Sequence, residues 1–197
     1  MESSRDLETL KNAIKKSTSQ LRLISWDPGI VNLACSSLTF NPTAETEFEL
    51  LTVKSHIHSL GNKNTPIPEL LVNLRIFMDS IQSDFDICLI EEQPAKVRDQ
   101  FGKASQSMYA VTFALAYEWT RRGTPVVFVN PRLKNSIPDM PKLDFSTSKQ
   151  KYTARKAHSK ICYAILANQF NVHYISHGAD VPDSCLQGIA WYLKTMG

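Results

Sequence analysis

The run Ile87-Cys88-Leu89-Ile90, closed by Glu91, Glu92, Gln93 and Pro94, constrains the fold of this chain more than any other segment. Four consecutive apolar residues without alternation suit a short strand covered on both faces, the position of a central strand in a sheet with helices on either side. Such a strand needs neighbours, and the flanking sequence supplies them. Residues 21–26 form a short apolar strand ended by the turn tripeptide Asp27-Pro28-Gly29, residues 31–40 read as the returning strand, and residues 48–54 complete a meander. Pro66 and Pro68 introduce a helix with Leu70, Leu71, Leu74, Phe77 and Met78 in helical period. A second helix spans 105–122, with Met108, Val111, Leu115 and Trp119 as its inner stripe and Gly123 as its stop. Residues 125–129 make the fifth strand, 149–170 a long helix and 180–194 the last one. The segment 131–148 holds three prolines and no clear period, so weak order or a substrate-contacting loop is expected there.

This order predicts an α/β fold, a mixed five-stranded sheet flanked by helices. A chain of 197 residues with 43% hydrophobic content suffices for one compact domain and is too short for two large ones. Residues 4–17 have the pattern of an amphipathic helix, with Leu7, Leu10 and Ile14 on one side. They make 1–20 a helical extension to a domain over 21–197. Neither a signal-peptide core nor a run of about 18 apolar residues is present, which predicts an intracellular, non-membrane protein. The four cysteines, Cys35, Cys88, Cys162 and Cys185, lie far apart without a CxxC pair and read as buried, reduced thiols. A net charge of +3 permits a polyanionic partner without identifying one.

Acidic residues stand where elements meet. Asp27 ends the first strand, Glu91 ends the fourth, and Asp180 and Asp183 open the last helix. Each has an ordinary explanation. Asp27 belongs to a common turn tripeptide, Glu91 can reach solvent from a strand end, and Asp180 and Asp183 suit a helix cap and a dipole-compensating position. Against that, an acid at the end of a buried strand is costly unless paired or metal-bound. Residues three apart also share one side of a helical turn. Glu92 competes with Glu91, but adjacent strand residues face opposite ways, so only one of them joins the other acids.

Three motifs resemble the RuvC-type Holliday junction resolvases, especially the branch found in poxviruses and other large DNA viruses. They are Ile24-Ser25-Trp26-Asp27-Pro28-Gly29 with Asn32, then Leu89-Ile90-Glu91-Glu92-Gln93-Pro94, then Asp180-Val181-Pro182-Asp183-Ser184. The resemblance implies a ribonuclease H-like fold over about 21–193, with the first strand beside the fourth and the acids at one end of the sheet. It selects Glu91 over Glu92 and turns the capping pair into metal ligands. Asp27, Glu91, Asp180 and Asp183 are then both catalytic and metal-binding. Two divalent ions roughly 4 Å apart would be held per site, and oxygen ligands favour Mg2+, with Mn2+ as a substitute. Viral members carry basic and extra acidic residues before the aspartate pair, where this chain has His177-Gly178-Ala179. His177 either lies exposed or assists near the metals.

For a nucleic-acid partner, Lys96, Arg98 and Lys103 place three cations after Glu91, and Phe101 between them either stacks on a base or packs internally. Lys149, Lys156 and Lys160 share one stripe of the long helix with Arg155 beside it, while Ala154, Ala157, Ile161 and Ile165 lie towards the other side. The stripe is either a solvated face or a phosphate-binding one. Lys134 and Lys142 are weaker phosphate candidates. The family is dimeric, since a four-way junction needs two symmetric cuts, and the aromatic helix 105–122 is the first candidate for the interface. The expected function is resolution of branched DNA, chiefly four-way junctions, in recombination, repair or replication, at a viral replication site, host nucleus or cytoplasm if the source is viral. The alternatives are a ribonuclease H acting on RNA/DNA hybrids and a non-catalytic branched-DNA-binding protein.

Overall fold

The computed structural model describes residues 20–41, 49–81, 84–93, 103–141, 148–169 and 180–196, with the side chains of 103–105, 148–152 and 196 outside the description. The expected N-terminal helix, the segment around Lys96, Arg98 and Phe101, Lys142 and His177 therefore lie outside the described residues.

Five strands, β1 (Leu21–Asp27), β2 (Leu33–Asn41), β3 (Glu49–His58), β4 (Ile87–Glu91) and β5 (Val126–Val129), form one sheet in the order β3-β2-β1-β4-β5. β1, β2 and β3 make an antiparallel meander, and β4 and β5 add in parallel beyond β1. The sheet is mixed, as the apolar runs predict. Helices α1 (Ile67–Asp79) and α2 (Lys103–Arg121) cover one face, and α3 (Ser148–Gln169) and α4 (Asp180–Met196) cover the other.

Alternation along β1 divides the core. Ile24 and Trp26 join Leu74, Phe77, Val111, Leu115 and Trp119 under α1 and α2, whereas Leu21 and Leu23 join Leu38, Leu89, Leu166 and Ile189 under α3 and α4. All thirteen are fully or nearly fully buried on their respective sides. β4 is buried from Ile87 to Ile90, as expected of a central strand.

Three expectations are corrected. β3 runs on to His58 instead of ending near residue 54. The proline-rich segment is ordered over 131–141, where Leu133–Ser136 forms a 3-10 turn and Ile137 is buried in the core beside α4. Finally, α3 is rotated from its expected phase. Ile161 is 53% exposed, and the buried stripe is Ser159, Cys162, Tyr163 and Leu166. Tyr163, Leu166 and Cys162 bury more apolar surface than Ala154 and Ala157 can, so the larger side chains set the phase.

Candidate active site

Both strand acids leave the sheet at the same edge. The parallel register pairs Trp26 with Ile90, so Asp27 and Glu91, one residue further on, stand side by side. By alternation both project towards the face covered by α4, as Ser25 and Leu89 do. α4 begins at this edge and presents Asp180 and Asp183 from its first turn. Acids are favoured there by the helix dipole, so a stable helix start and an acidic cluster coincide.

Asp27, Asp180 and Asp183 each offer a carboxylate oxygen within 4.8 Å of the others. Glu91 stands beside them, linked to Asp183 through Lys134, whose Nζ is 3.5 Å from Glu91 Oε2 and 2.9 Å from Asp183 Oδ1. Glu92 is exposed, so the choice between the two glutamates falls on Glu91.

Lys156 occupies the centre of the aspartates. Its Nζ is 2.6 Å from Asp180 Oδ1, 2.6 Å from Asp183 Oδ2 and 3.8 Å from Asp27 Oδ2. The rotation of α3 explains this: Lys156 lies one turn before Ser159 on the inward stripe, while Lys160 and Arg155 are exposed. Lys156 was expected on an outward cationic face, and the structure points it inward. Lys103 and Lys149 open α2 and α3, with side chains outside the description.

Neutral donors fix the two helix-borne acids. Asn32 Nδ2 donates to Asp180 Oδ2 at 3.0 Å, and Ser159 Oγ donates to Asp183 Oδ1 at 2.5 Å. Asn32 belongs to the loop that Pro28 and Gly29 open. A Cβ at Gly29 would overlap the carbonyl oxygen of Asn32, so this loop requires glycine to bring the asparagine back over the cluster.

The charges are strongly perturbed. Burial first, and then the neighbouring Glu91 carboxylate, push the Asp27 carboxyl up to about 8 against the pull of Lys156. Burial likewise raises Glu91, opposed by Lys134. Burial would raise Asp183 too, but Lys134, Lys156 and the Ser159 hydroxyl outweigh it and hold this group below the usual carboxylate range. Both lysines are raised, because the carboxylates around them overcome the effect of burial.

The donor set fits a hard divalent cation. It consists of carboxylate oxygens alone, and the Lys156 ammonium shows that their oxygens converge on one positive charge. Four carboxylates facing two ammonium groups carry an excess of negative charge whenever all four are ionised, and a bound cation favours that ionised state. The acids open into a cleft of 1520 Å³ also lined by Asn130, Arg132, Asn135 and Arg155. Lys134 is the site residue that sequence reasoning ranked too low. It lies in a segment without periodicity, and its signal was only a lone lysine following β5.

No family model matches the chain, and no curated protein matches its sequence. Solved structures do match. Thermus thermophilus RuvC in complex with a Holliday junction substrate aligns at a TM-score of 0.59 and 11% identity, covering 88% of this chain and 96% of that one. A second Thermus thermophilus RuvC structure aligns at 0.56 and 13%, again over 88% and 96%. The fowlpox virus Holliday junction resolvase aligns at 0.54 and 15%, over 88% of this chain and 99% of that one. The fold is ribonuclease H-like. At such identities the likeness is one of fold, and the ribonuclease H-like sheet explains why acids on β1 and β4 meet. Among the described residues, no helix is long and apolar enough to cross a membrane.

Proposed function

We propose that this protein is a divalent-metal-dependent endonuclease that resolves four-way DNA junctions. The observation that carries this reading is the convergence of Asp27, Asp180 and Asp183, with Glu91 beside them, at one edge of a sheet whose fold is shared with RuvC. One of the matching structures holds a Holliday junction, which makes branched DNA the preferred substrate class over an RNA/DNA hybrid. The motifs shared with the viral resolvases and the fowlpox match suit a viral branch of the group.

In this reading Asp27, Asp180, Asp183 and Glu91 hold Mg2+ or Mn2+, two ions per site. Bound divalent ions supply activation of water and neutralisation of charge on the phosphate. Water adds across the phosphodiester and leaves a 5′-phosphate and a 3′-hydroxyl. Asn32 and Ser159 each hold one oxygen of a ligating carboxylate, so that these side chains need little reorganisation. Lys134, between Glu91 and Asp183, would attract the scissile phosphate, and the exposed Arg155 and Lys160 would extend the positive charge along α3, while Lys156 faces the aspartates. Lys96, Arg98, Phe101, Lys103 and Lys149 remain DNA-binding candidates on the resemblance.

Two symmetric cuts require two sites, and a twofold homodimer supplies them. α2 suits the interface, because Phe113 and Tyr117, one turn apart, are 63% and 70% exposed.

The test compares labelled four-way junction, linear duplex and RNA/DNA hybrid with and without Mg2+. Paired, metal-dependent cuts in the junction are expected. Asp27→Asn and Glu91→Gln should abolish cutting while leaving junction binding in place. Cleavage of the hybrid alone would make the protein a ribonuclease H. Binding without cutting in the wild type would leave a non-catalytic DNA-binding protein.

A further inference from the structure

Between α4 and the sheet runs a buried polar seam that the acids themselves do not require. Gln187, 2% exposed, sits one turn beyond Asp183 on the same side of α4. Its Nε2 donates to Ser25 Oγ at 3.1 Å and to the carbonyl oxygen of Trp26 at 3.3 Å. Ser25 is fully buried, and the Trp26 carbonyl belongs to the peptide unit whose nitrogen is that of Asp27. A single side chain on the helix of Asp183 thus grips the backbone immediately before Asp27.

A second link lies beside it. Ser184 Oγ meets Ser36 Oγ on β2 at 2.8 Å, and Ser36 Oγ meets Ser55 Oγ on β3 at 2.9 Å. This link ties α4 to the meander and touches neither strand acid. Close approach makes both links possible: a Cβ at Gly188 would run into Leu38 Cδ1 and lie 3.1 Å from Leu23 Cδ2. Around these links Leu23, Leu38, Leu186 and Ile189 make apolar contacts, and about three turns away from Asp180 the Tyr192 hydroxyl donates to the Asn41 carbonyl on β2 at 3.4 Å, far from the acids.

Apolar contacts are non-directional and tolerate sliding, whereas a buried amide without its acceptors is costly. The Gln187 bonds therefore penalise any rotation or translation of α4 along β1. An apolar residue of similar volume would pack as well but would not fix the register. The serine at position 25 has the same significance, because it interrupts the apolar inward stripe of β1 formed by Leu21 and Leu23.

We propose that Gln187 is a positioning residue, which sets the register of α4 on β1 so that the Asp183 and Asp27 carboxylates face one cation. The proposal rests on the metal-binding reading of the acid cluster. Partners bonded directly to metal ligands typically alter metal affinity by about 10–100-fold, and Gln187 acts one step further out, through the backbone before Asp27, so the lower end of that range applies.

The test is calorimetric titration of the full chain with Mn2+, together with thermal melts recorded without metal. Gln187→Met keeps the volume and removes the donor. It should weaken Mn2+ binding about tenfold or more. Ser36→Ala cuts the neighbouring link and should lower the melting temperature while keeping the wild-type Mn2+ affinity. Ser25→Ala, a smaller change that leaves the Trp26 carbonyl to Gln187, should give an intermediate loss and serves if Gln187→Met folds poorly. Wild-type affinity in Gln187→Met and Ser25→Ala, or equal losses in Ser36→Ala, would overturn the positioning role. A wild-type chain that binds no Mn2+ would instead overturn the metal-binding reading and the proposal with it.

Discussion

Replacing Ser159 by alanine isolates the neutral support of a buried carboxylate. Asp183 is 4% exposed and accepts bonds from Ser159 Oγ at 2.5 Å, Lys156 Nζ at 2.6 Å and Lys134 Nζ at 2.9 Å. A hydrogen bond to a charged group contributes about 1.5–3 kcal/mol. Because both ammonium groups remain and the lost volume is one oxygen atom, the lower part of that range applies, about 1.5–2 kcal/mol. For a domain of this size each kcal/mol moves the melting temperature by about 2–4 °C, so a drop of about 3–8 °C is expected. Differential scanning calorimetry near pH 7 with a chelator present measures it. The sign of the pH dependence follows from Asp183 being held below the ordinary carboxylate range. Its ionised form contributes stability that is present above the unfolded value of about 3.9 and is lost as pH falls through the folded one. The gap between wild type and Ser159→Ala should therefore narrow as pH falls from neutral through the carboxylate range and below it. Melting temperatures within about 1 °C of each other at neutral pH, or a gap that stays constant down to low pH, would mean that Ser159 does not support the Asp183 carboxylate.

Three further outcomes are expected. Asp27 is pushed up to about 8, so the folded chain takes up a proton that the unfolded chain lacks between about pH 4 and 8, and metal-free stability declines as pH rises through that window. Asp27→Asn should raise the metal-free melting temperature above about pH 8 and change it little near pH 4, while Mn2+ binding in calorimetry is lost. Glu118 is held down at about 2, chiefly by its bond to Arg121 and then by Arg122. Its contribution is present above the ordinary carboxylate range and lost as pH falls towards 2, so Glu118→Gln should melt earlier at neutral pH and show a flatter acid limb in circular dichroism. Placing glutamates at Phe113 and Tyr117 together should convert the proposed dimer to a monomer in sedimentation and turn the proposed paired junction cuts into single nicks; unchanged sedimentation would remove α2 as the interface.

The sheet was legible because its signals are short-range. Residues 87–90 are apolar without interruption, Asp27-Pro28-Gly29 marks a turn, and α1 and α2 carry their buried residues in phase. The acids were legible for the same reason, as each terminates or opens an element. The two site lysines were read less well. Spacing places Lys156 on a stripe with Lys149 and Lys160, but the phase of α3 depends on how Tyr163 and Leu166 pack against the sheet, a tertiary fact that helical period alone does not determine. Lys134 sits in a segment ordered by the burial of Ile137 beside α4, again a contact between distant parts of the chain. Ser25 and Gln187 left only the faint sign of single polar residues in apolar stripes. Their partnership spans 162 positions, beyond the reach of any local pattern.

The four acids come from positions 27, 91, 180 and 183, and half of them ride on the last helix. A chain still emerging from the ribosome holds two of them, with the apolar face of β1 and β2 uncovered, until α4 has been synthesised and has settled onto the sheet. In the proposed reading, competence to bind a cation therefore comes only once α4 has been synthesised, together with closure of the core on that face. A copy without α4 lacks the acid cluster for the same reason that it lacks a closed core, so the proposed chemistry and the fold stand or fall together.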